Sequence, residues 1–235
     1  MSEIRSIFNR IAPVYDQLND WLSLGQHRIW KEMTVKWSGA KTGDKVLDLC
    51  CGSGDLAFRL ARRIGTTGKV EAIDFSPELL EVAKQRSKDY YPTPSINWIE
   101  ADVLELPFDD NQFDAATMGY GLRNVTDIPR CLEELHRVLK TEATCAILDF
   151  HRPESTLMRG FQQWYLDNLV VPAASQMGLK EEYAYINPSL ERFPSGREQI
   201  KIAREVGFAQ TVHYPIANGM MGVLVIKKFY YFHYS

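Results

Sequence analysis

The residues best suited to chemistry are aspartates gathered around one glycine turn. In KVLDLCCGSGDLA, Lys45 to Ala57, an apolar run ends in two cysteines and then in Gly52 and Gly54, which flank Ser53. A strand that turns at once into a helix needs residues that tolerate positive φ and the close approach of a ligand. The helix it opens aims its first N–H groups, and the positive end of its dipole, at whatever binds there. With Ala57 in third place the run satisfies G-x-G-x-x-G/A, so a dinucleotide is one reading. Asp48 before the turn and Asp55 within it argue against that reading, because they would set carboxylates beside a pyrophosphate. A cationic nucleoside such as S-adenosylmethionine, with positive sulfonium and amino groups and no phosphate, removes the conflict. Asp74, about 20 residues beyond Gly54, then stands where a carboxylate takes both ribose hydroxyls. Asp102 is placed to accept from an adenine amino group. Ser53, Phe75, Val103 and Gly119 complete the expected donor-binding set.

These acids meet only if the elements that carry them alternate. From Lys45 the pattern predicts strand KVLDLC, helix DLAFRLARRI, strand KVEAID, helix SPELLEVAKQRSKD and strand INWIEAD, with Asp74 and Asp102 closing the second and third strands. It continues with strand FDAATMGY, helix DIPRCLEELHRVLK and strand TCAILDF. Ser76 before Pro77, and Thr126 or Asp127, are the expected helix starts. Short strand–helix–strand crossovers of this kind build a mostly parallel sheet with helices on both faces. Residues 1–38 carry aromatic and apolar residues at helical spacing and are expected as a helical cap. Residues 151–192 break the rhythm as an excursion over the carboxyl ends of the strands, with turn signals in EEYAYINPSLERFP. GREQIKIAREVGF reads as a helix, and AQTVHYPI and GVLVIKKF as a closing strand pair. The whole chain, 1–235, is expected as one domain, with 229–235 a tail of separate character.

Composition excludes other classes. A formal charge of −3 gives no global drive toward nucleic acid. No run resembles a signal peptide or a membrane span, and four cysteines do not make a disulfide scaffold, so a reducing, cytosolic setting is expected. Cys50 and Cys51 lack a C-x-x-C pattern or a histidine at metal spacing. They are expected as small buried residues lining the turn, and no metal is expected. The five histidines are scattered, and His136 is expected on a solvated helix face.

Five segments together carry a family resemblance: FNRIAPVYDQLNDWLSLGQHRIWK, VLDLCCGSGDLA, ELPFDDNQFD, GYGLRNVTD and LHRVLK. Up to Lys228 the chain resembles the ubiquinone/menaquinone-biosynthesis C-methyltransferases. Within them, CCGSGD and EEYAYINPSLERFP look most like the cyanobacterial and plastid branch that methylates demethylphylloquinone. The resemblance implies a Rossmann-like class I S-adenosylmethionine-dependent methyltransferase: α/β, with a seven-stranded, mostly parallel sheet and an antiparallel C-terminal strand. Two departures stand out. RVLKTEA lacks the usual Pro-Gly-Gly turn, which implies a looser entry to the fifth strand, and Gly119 replaces a serine near the methionine moiety.

Methylating a ring carbon needs a reduced quinone whose hydroxyl has lost its proton. A phenol-like pKa of about 10 leaves roughly a thousandth ionised at pH 7, a deficit of about 4 kcal/mol. Arg123 and Asn124, just past the fourth strand, can stabilise the phenolate by charge and hydrogen bond. The resemblance implies Tyr15, Arg123 and Asn124 as the catalytic cluster, with Arg123 acting through a water; Asp16 and His27 are further candidates. A prenylated quinol resides in the membrane, so peripheral membrane attachment is expected. Phe161, Trp164, Tyr165 and Leu169 would form either a lipid-facing lip or a core stripe. A homodimer is allowed for.

Overall fold

The computed structural model describes residues 25–90, 95–176 and 186–229. Seven strands form one sheet: β1 Lys45–Leu49, β2 Lys69–Asp74, β3 Ile96–Glu100, β4 Phe113–Gly119, β5 Leu139–Phe150, β6 Gln210–Ile216 and β7 Met221–Lys227. Their order is β3-β2-β1-β4-β5-β7-β6. β1 to β5 run parallel, and β7 lies antiparallel between β5 and β6. The eight α-helices among the described residues are α1 Gln26–Trp37, α2 Asp55–Ile64, α3 Pro77–Ser87, α4 Ile128–Val138, α5 Thr156–Tyr165, α6 Val171–Gln176, α7 Ile186–Arg192 and α8 Gly196–Val206.

Side chains alternate across each central strand, so consecutive residues of β1 serve different layers. Val46 joins Val70, Ala72 and Ala115 under Val35 of α1, Leu56, Ala57 and Leu60 of α2 and Leu80 of α3. Leu47 and Leu49 face the other way, with Met118 and Leu224, against Leu132 and Leu135 of α4 and Ala203 of α8. Helix starts follow the expected chemistry. The Ser76 hydroxyl accepts from the Leu79 amide ahead of Pro77, and the Asp127 carboxylate accepts from the Arg130 amide. Ser195 and Glu198 form a capping box at α8.

Several boundaries differ from the sequence reading. β3 ends at Glu100, so Asp102 lies in the turn beyond it, where its Oδ1 accepts from the Leu104 amide. α4 stops at Val138 and β5 begins at once, five residues before the expected Thr144. Leu139 pairs with Phe113, after which the register shifts so that Ala115 opposes Thr144. Glu142, at φ 66°, absorbs the extra residues. The looser entry expected without Pro-Gly-Gly is thus a bulge tied at its far side: the Glu142 amide donates to the Lys228 carbonyl, and the Lys228 amide to that of Ala143. Lys228 Nζ also donates to the His136 and Leu139 carbonyls, closing the end of α4.

His136 is not on a solvated face. It packs edge-on against Phe208, ring centroids 5.0 Å apart, and burial lowers its pKa. In the excursion, α5 passes through a π-helical stretch, Leu166–Val170, into α6. Part of the segment expected to turn, Ile186–Arg192, is helical as α7, with Pro188 inside its first turn, where a missing N–H is harmless. α7 packs on the single 3₁₀ turn Leu122–Asn124 that follows β4. Phe161, Trp164 and Leu169 are exposed, as is Leu157, and Tyr165 is half-buried, so the four expected residues do not form a buried core stripe.

Candidate active site

Strand order reverses between β1 and β4, and in an open parallel sheet a ligand crevice opens at the carboxyl ends of the strands flanking such a point. A cleft open to solvent lies there. Asp48, Gly52, Ser53, Asp55, Asp74, Phe75, Asp102, Val103 and Gly119 line it, which brings together the expected donor-binding residues except Gly54. Gly54 instead sits at the head of α2 with φ 93°, where an added Cβ would fall 2.6 Å from the Trp98 ring. Gly119 has its own reason. A Cβ there would lie 2.6 Å from Leu56 Cδ1, so a serine at this position would require the end of the Leu56 side chain to shift.

The acids differ in how they are held. Asp48 sits mid-strand in β1 opposite Thr117 of β4, whose hydroxyl donates to Asp48 Oδ1 at 2.6 Å. Its Oδ2 is buried without a hydrogen-bond partner. Burial pushes the Asp48 carboxyl up to about 7, against weaker help from Thr117, the Ala57 amide and Lys31. Asp74 receives the Gly52 amide on Oδ2 at 2.8 Å and the Ser76 amide on Oδ1 at 2.9 Å, which ties the glycine turn to the end of β2. Burial still raises its carboxyl to about 6. Burial would raise Asp55 as well, but Lys31 and Arg86 outweigh it and hold this carboxyl well below the usual range. Lys31 Nζ lies 2.6 Å from Asp55 Oδ2, and Arg86 Nη2 lies 2.8 Å from Oδ1. Asp55 is therefore the centre of an ion cluster. The case against a pyrophosphate rests on Asp48, Asp74 and Asp102, and not on four equivalent acids.

Cys50 and Cys51 line the turn, their thiols raised well above the ordinary range by burial, and no metal-ligating group of three or more residues occurs among the described residues. Cys50 sits at φ 51° and fits only because Gly121 is opposite, where a Cβ would lie 2.5 Å from Cys50 Cβ.

The catalytic candidates separate. Asn124 lines the cleft; its Nδ2 donates to the Tyr120 carbonyl, and its Oδ1 is buried without a partner. Arg123 does not line the cleft. Its guanidinium is buried against Asp149 Oδ1 at 3.3 Å and the Tyr120 carbonyl at 2.9 Å, with the Phe150 ring beneath it. Asp149 also receives the Arg123 amide, and its carboxyl is raised by burial in spite of the arginine. His27 is buried in α1 and is not among the cleft residues. Tyr15 and Asp16 lie outside the described residues. Sequence reasoning missed Lys31 and Tyr120, both of which line the cleft. Tyr120 stands at φ 61°, and no spacing in the sequence marks either residue.

The cleft fits S-adenosylmethionine. The unpartnered Asp48 oxygen suits a cationic group, Asp74 a ribose, and the apolar walls of Phe75, Leu79, Val103 and Leu104 a purine. Residues 1–228 match the ubiE/COQ5 methyltransferase family. This chain belongs to that family. It is thereby an S-adenosylmethionine-dependent methyltransferase, and the dinucleotide reading of the glycine turn is set aside. Among relatives, the 2-phytyl-1,4-naphtoquinone methyltransferase of Nostoc sp. is 72% identical over 227 residues, covering 97% of this chain and 99% of that one. The chloroplastic 2-phytyl-1,4-beta-naphthoquinone methyltransferase of Arabidopsis thaliana is 54% identical over 229 residues, covering 97% and 88%. The fold is shared with more distant solved structures. A SAM-dependent methyltransferase from Aquifex aeolicus superposes with a TM-score of 0.62 at 20% identity, over 90% of this chain and 96% of that one.

Proposed function

We propose that this methyltransferase acts on the ring carbon of a reduced prenylated naphthoquinone, 2-phytyl-1,4-naphthoquinol, forming phylloquinol. The observation that carries this reading is identity of 72% and 54%, over nearly whole chains, to two proteins named for that substrate. S-adenosylmethionine supplies an electrophilic methyl group on a sulfonium. The residues of this chain have three tasks. Asp74 and Asp102 hold the nucleoside end, and Asp48 balances positive charge beside the reacting centre. Asn124 takes a ring hydroxyl or its oxygen by hydrogen bond, and Arg123, anchored on Asp149, fixes the turn that presents Asn124 and adds positive charge behind it. Orientation carries most of the rate, since alignment of two reactants contributes roughly 7–11 kcal/mol. Transfer of labelled methyl to demethylated naphthoquinols and benzoquinols, with reductant and in air, tests the proposal. The expected result is labelling of the phytyl naphthoquinol under reductant only; preference for a benzoquinol, or equal labelling in air, would overturn it.

The tail places the reaction at a bilayer, because each buried CH₂ favours lipid by about 0.8 kcal/mol. No helix among the described residues is long and apolar enough to cross a membrane. The exposed Leu157, Phe161, Trp164 and Leu169 support peripheral attachment through α5 and the π-helical stretch, from the cytoplasmic side. Flotation with lipid vesicles should recover the protein, and Trp164→Asp should reduce recovery; unchanged flotation removes this part of the reading.

A further inference from the structure

We propose that Lys31 is the anchor for the carboxylate of the methyl donor. The inference rests on the family's donor and is independent of which quinone is methylated.

S-adenosylmethionine brings three charges to the cleft: a sulfonium, an ammonium and a carboxylate. Asp48, Asp74 and Asp102 account for the cationic and hydrogen-bond-donating parts, and the remaining anion needs a cation. Lys31 is the single lysine or arginine among the described residues that line the cleft. Its side chain is 4% exposed, so its charge is not spread into solvent. A desolvated ammonium must find anionic or dipolar partners. The partner present is Asp55 at 2.6 Å, but Asp55 is already matched on its other oxygen by Arg86, which also donates to the Ser53 carbonyl. Arg86 keeps Asp55 compensated when Lys31 Nζ shares itself with a second carboxylate. The Tyr120 ring lies beneath the ammonium, 5.7 Å from Nζ to the centroid, and confines it from the other side. Lys31 comes from α1, so this helix contributes a charge contact to the donor site.

The test compares ligands that differ only in the carboxylate: S-adenosylhomocysteine and its decarboxylated analogue S-adenosyl-3-thiopropylamine, titrated by calorimetry into the full chain. Wild-type protein should bind the carboxylated ligand about tenfold or more tightly than the decarboxylated one. Lys31→Gln should weaken S-adenosylhomocysteine by roughly 10- to 100-fold and leave the decarboxylated ligand within about threefold of wild type. Binding of the decarboxylated ligand doubles as proof that the variant is folded. Equal weakening of both ligands assigns Lys31 a structural role and overturns the proposal. Unchanged binding of both, with methyl transfer lost, assigns it to the acceptor and also overturns it. Should Lys31→Gln fail to fold, Lys31→Arg decides: the retained charge should keep the preference for the carboxylated ligand, and loss of that preference with both ligands still bound refutes the anchor. Failure of quinol methylation, by contrast, would leave these binding results untouched.

Discussion

Replacing Asp48 by asparagine should stabilise the protein in a way that depends on pH. The carboxyl is fully buried, Thr117 serves one oxygen, and the other has no partner. Its pKa rises from an ordinary 3.8 to about 7 in the fold. A group whose folded value is raised contributes stability that is complete below the unfolded value and lost as pH rises through the folded one. At about 1.4 kcal/mol per pKa unit, the three units amount to roughly 4 kcal/mol of stability given up between pH 4 and pH 8. The part that falls between pH 5 and pH 8 is roughly 2.5 kcal/mol. Asparagine cannot ionise, and any offset from its amide is independent of pH. In urea unfolding at pH 5, 6, 7 and 8, the free energy of Asp48→Asn relative to wild type should therefore climb by about that amount as pH rises. Asp74 also titrates in this range and is present in both proteins, so only the part of its titration that responds to the Asp48 charge enters the difference. Donor affinity should fall in the same variant, as expected of a charge kept for binding at the expense of stability. A difference between the two proteins that stays flat from pH 5 to pH 8 would refute the argument.

Asp74→Ala should weaken S-adenosylhomocysteine by roughly 30-fold or more, since it removes the charged partner of two ribose hydroxyls and also leaves the Gly52 and Ser76 amides without their acceptor; equal affinity by calorimetry would contradict this. Arg123→Ala should retain donor affinity, lose turnover and destabilise the fold by about 3–5 kcal/mol by stranding buried Asp149. Adding Asp149→Ala should restore much of the melting temperature without restoring turnover; a double variant no more stable than the single one would refute the pairing. Gly54→Ala meets both a left-handed φ and the Trp98 ring, and should cost about 2–4 kcal/mol in chemical denaturation. A loss below about 0.5 kcal/mol would show that the turn relaxes freely.

What the sequence made legible was the part ruled by local pattern. The strand–helix alternation, Ser76 and Asp127 as helix starts, and the acids at one rim follow from hydrophobic period, cap chemistry and turn chemistry, all of which act over a few residues. The start of β5 was missed because its first residues are held by Lys228, nearly ninety positions on, and a missing Pro-Gly-Gly reveals the lost turn without revealing its replacement. His136 was misplaced for the same kind of reason, since Phe208 covers it from a distant helix end. Within the site, the aspartates announce themselves by spacing, but their electrical state does not. Asp55 is neutralised by Lys31 from α1 and Arg86 from α3, which come together only in three dimensions. Arg123 and Asn124 are neighbours in sequence, yet one faces Asp149 behind the turn and the other the cleft.

The insertion of β7 between β5 and β6 bears on how the molecule is made. On a ribosome the chain emerges from its amino end, so the first five strands can associate while the outer edge of β5 has nothing to pair with. The backbone amides and carbonyls of Thr144 to Phe150 that face away from β4 then stay open until residues 221–227 leave the exit tunnel, and the last carbonyls of α4 wait still longer for Lys228. Completion of the sheet thus waits on the strand that comes last in the chain. A stalled nascent chain would display an unsatisfied strand edge, the kind of surface that holdase chaperones grip.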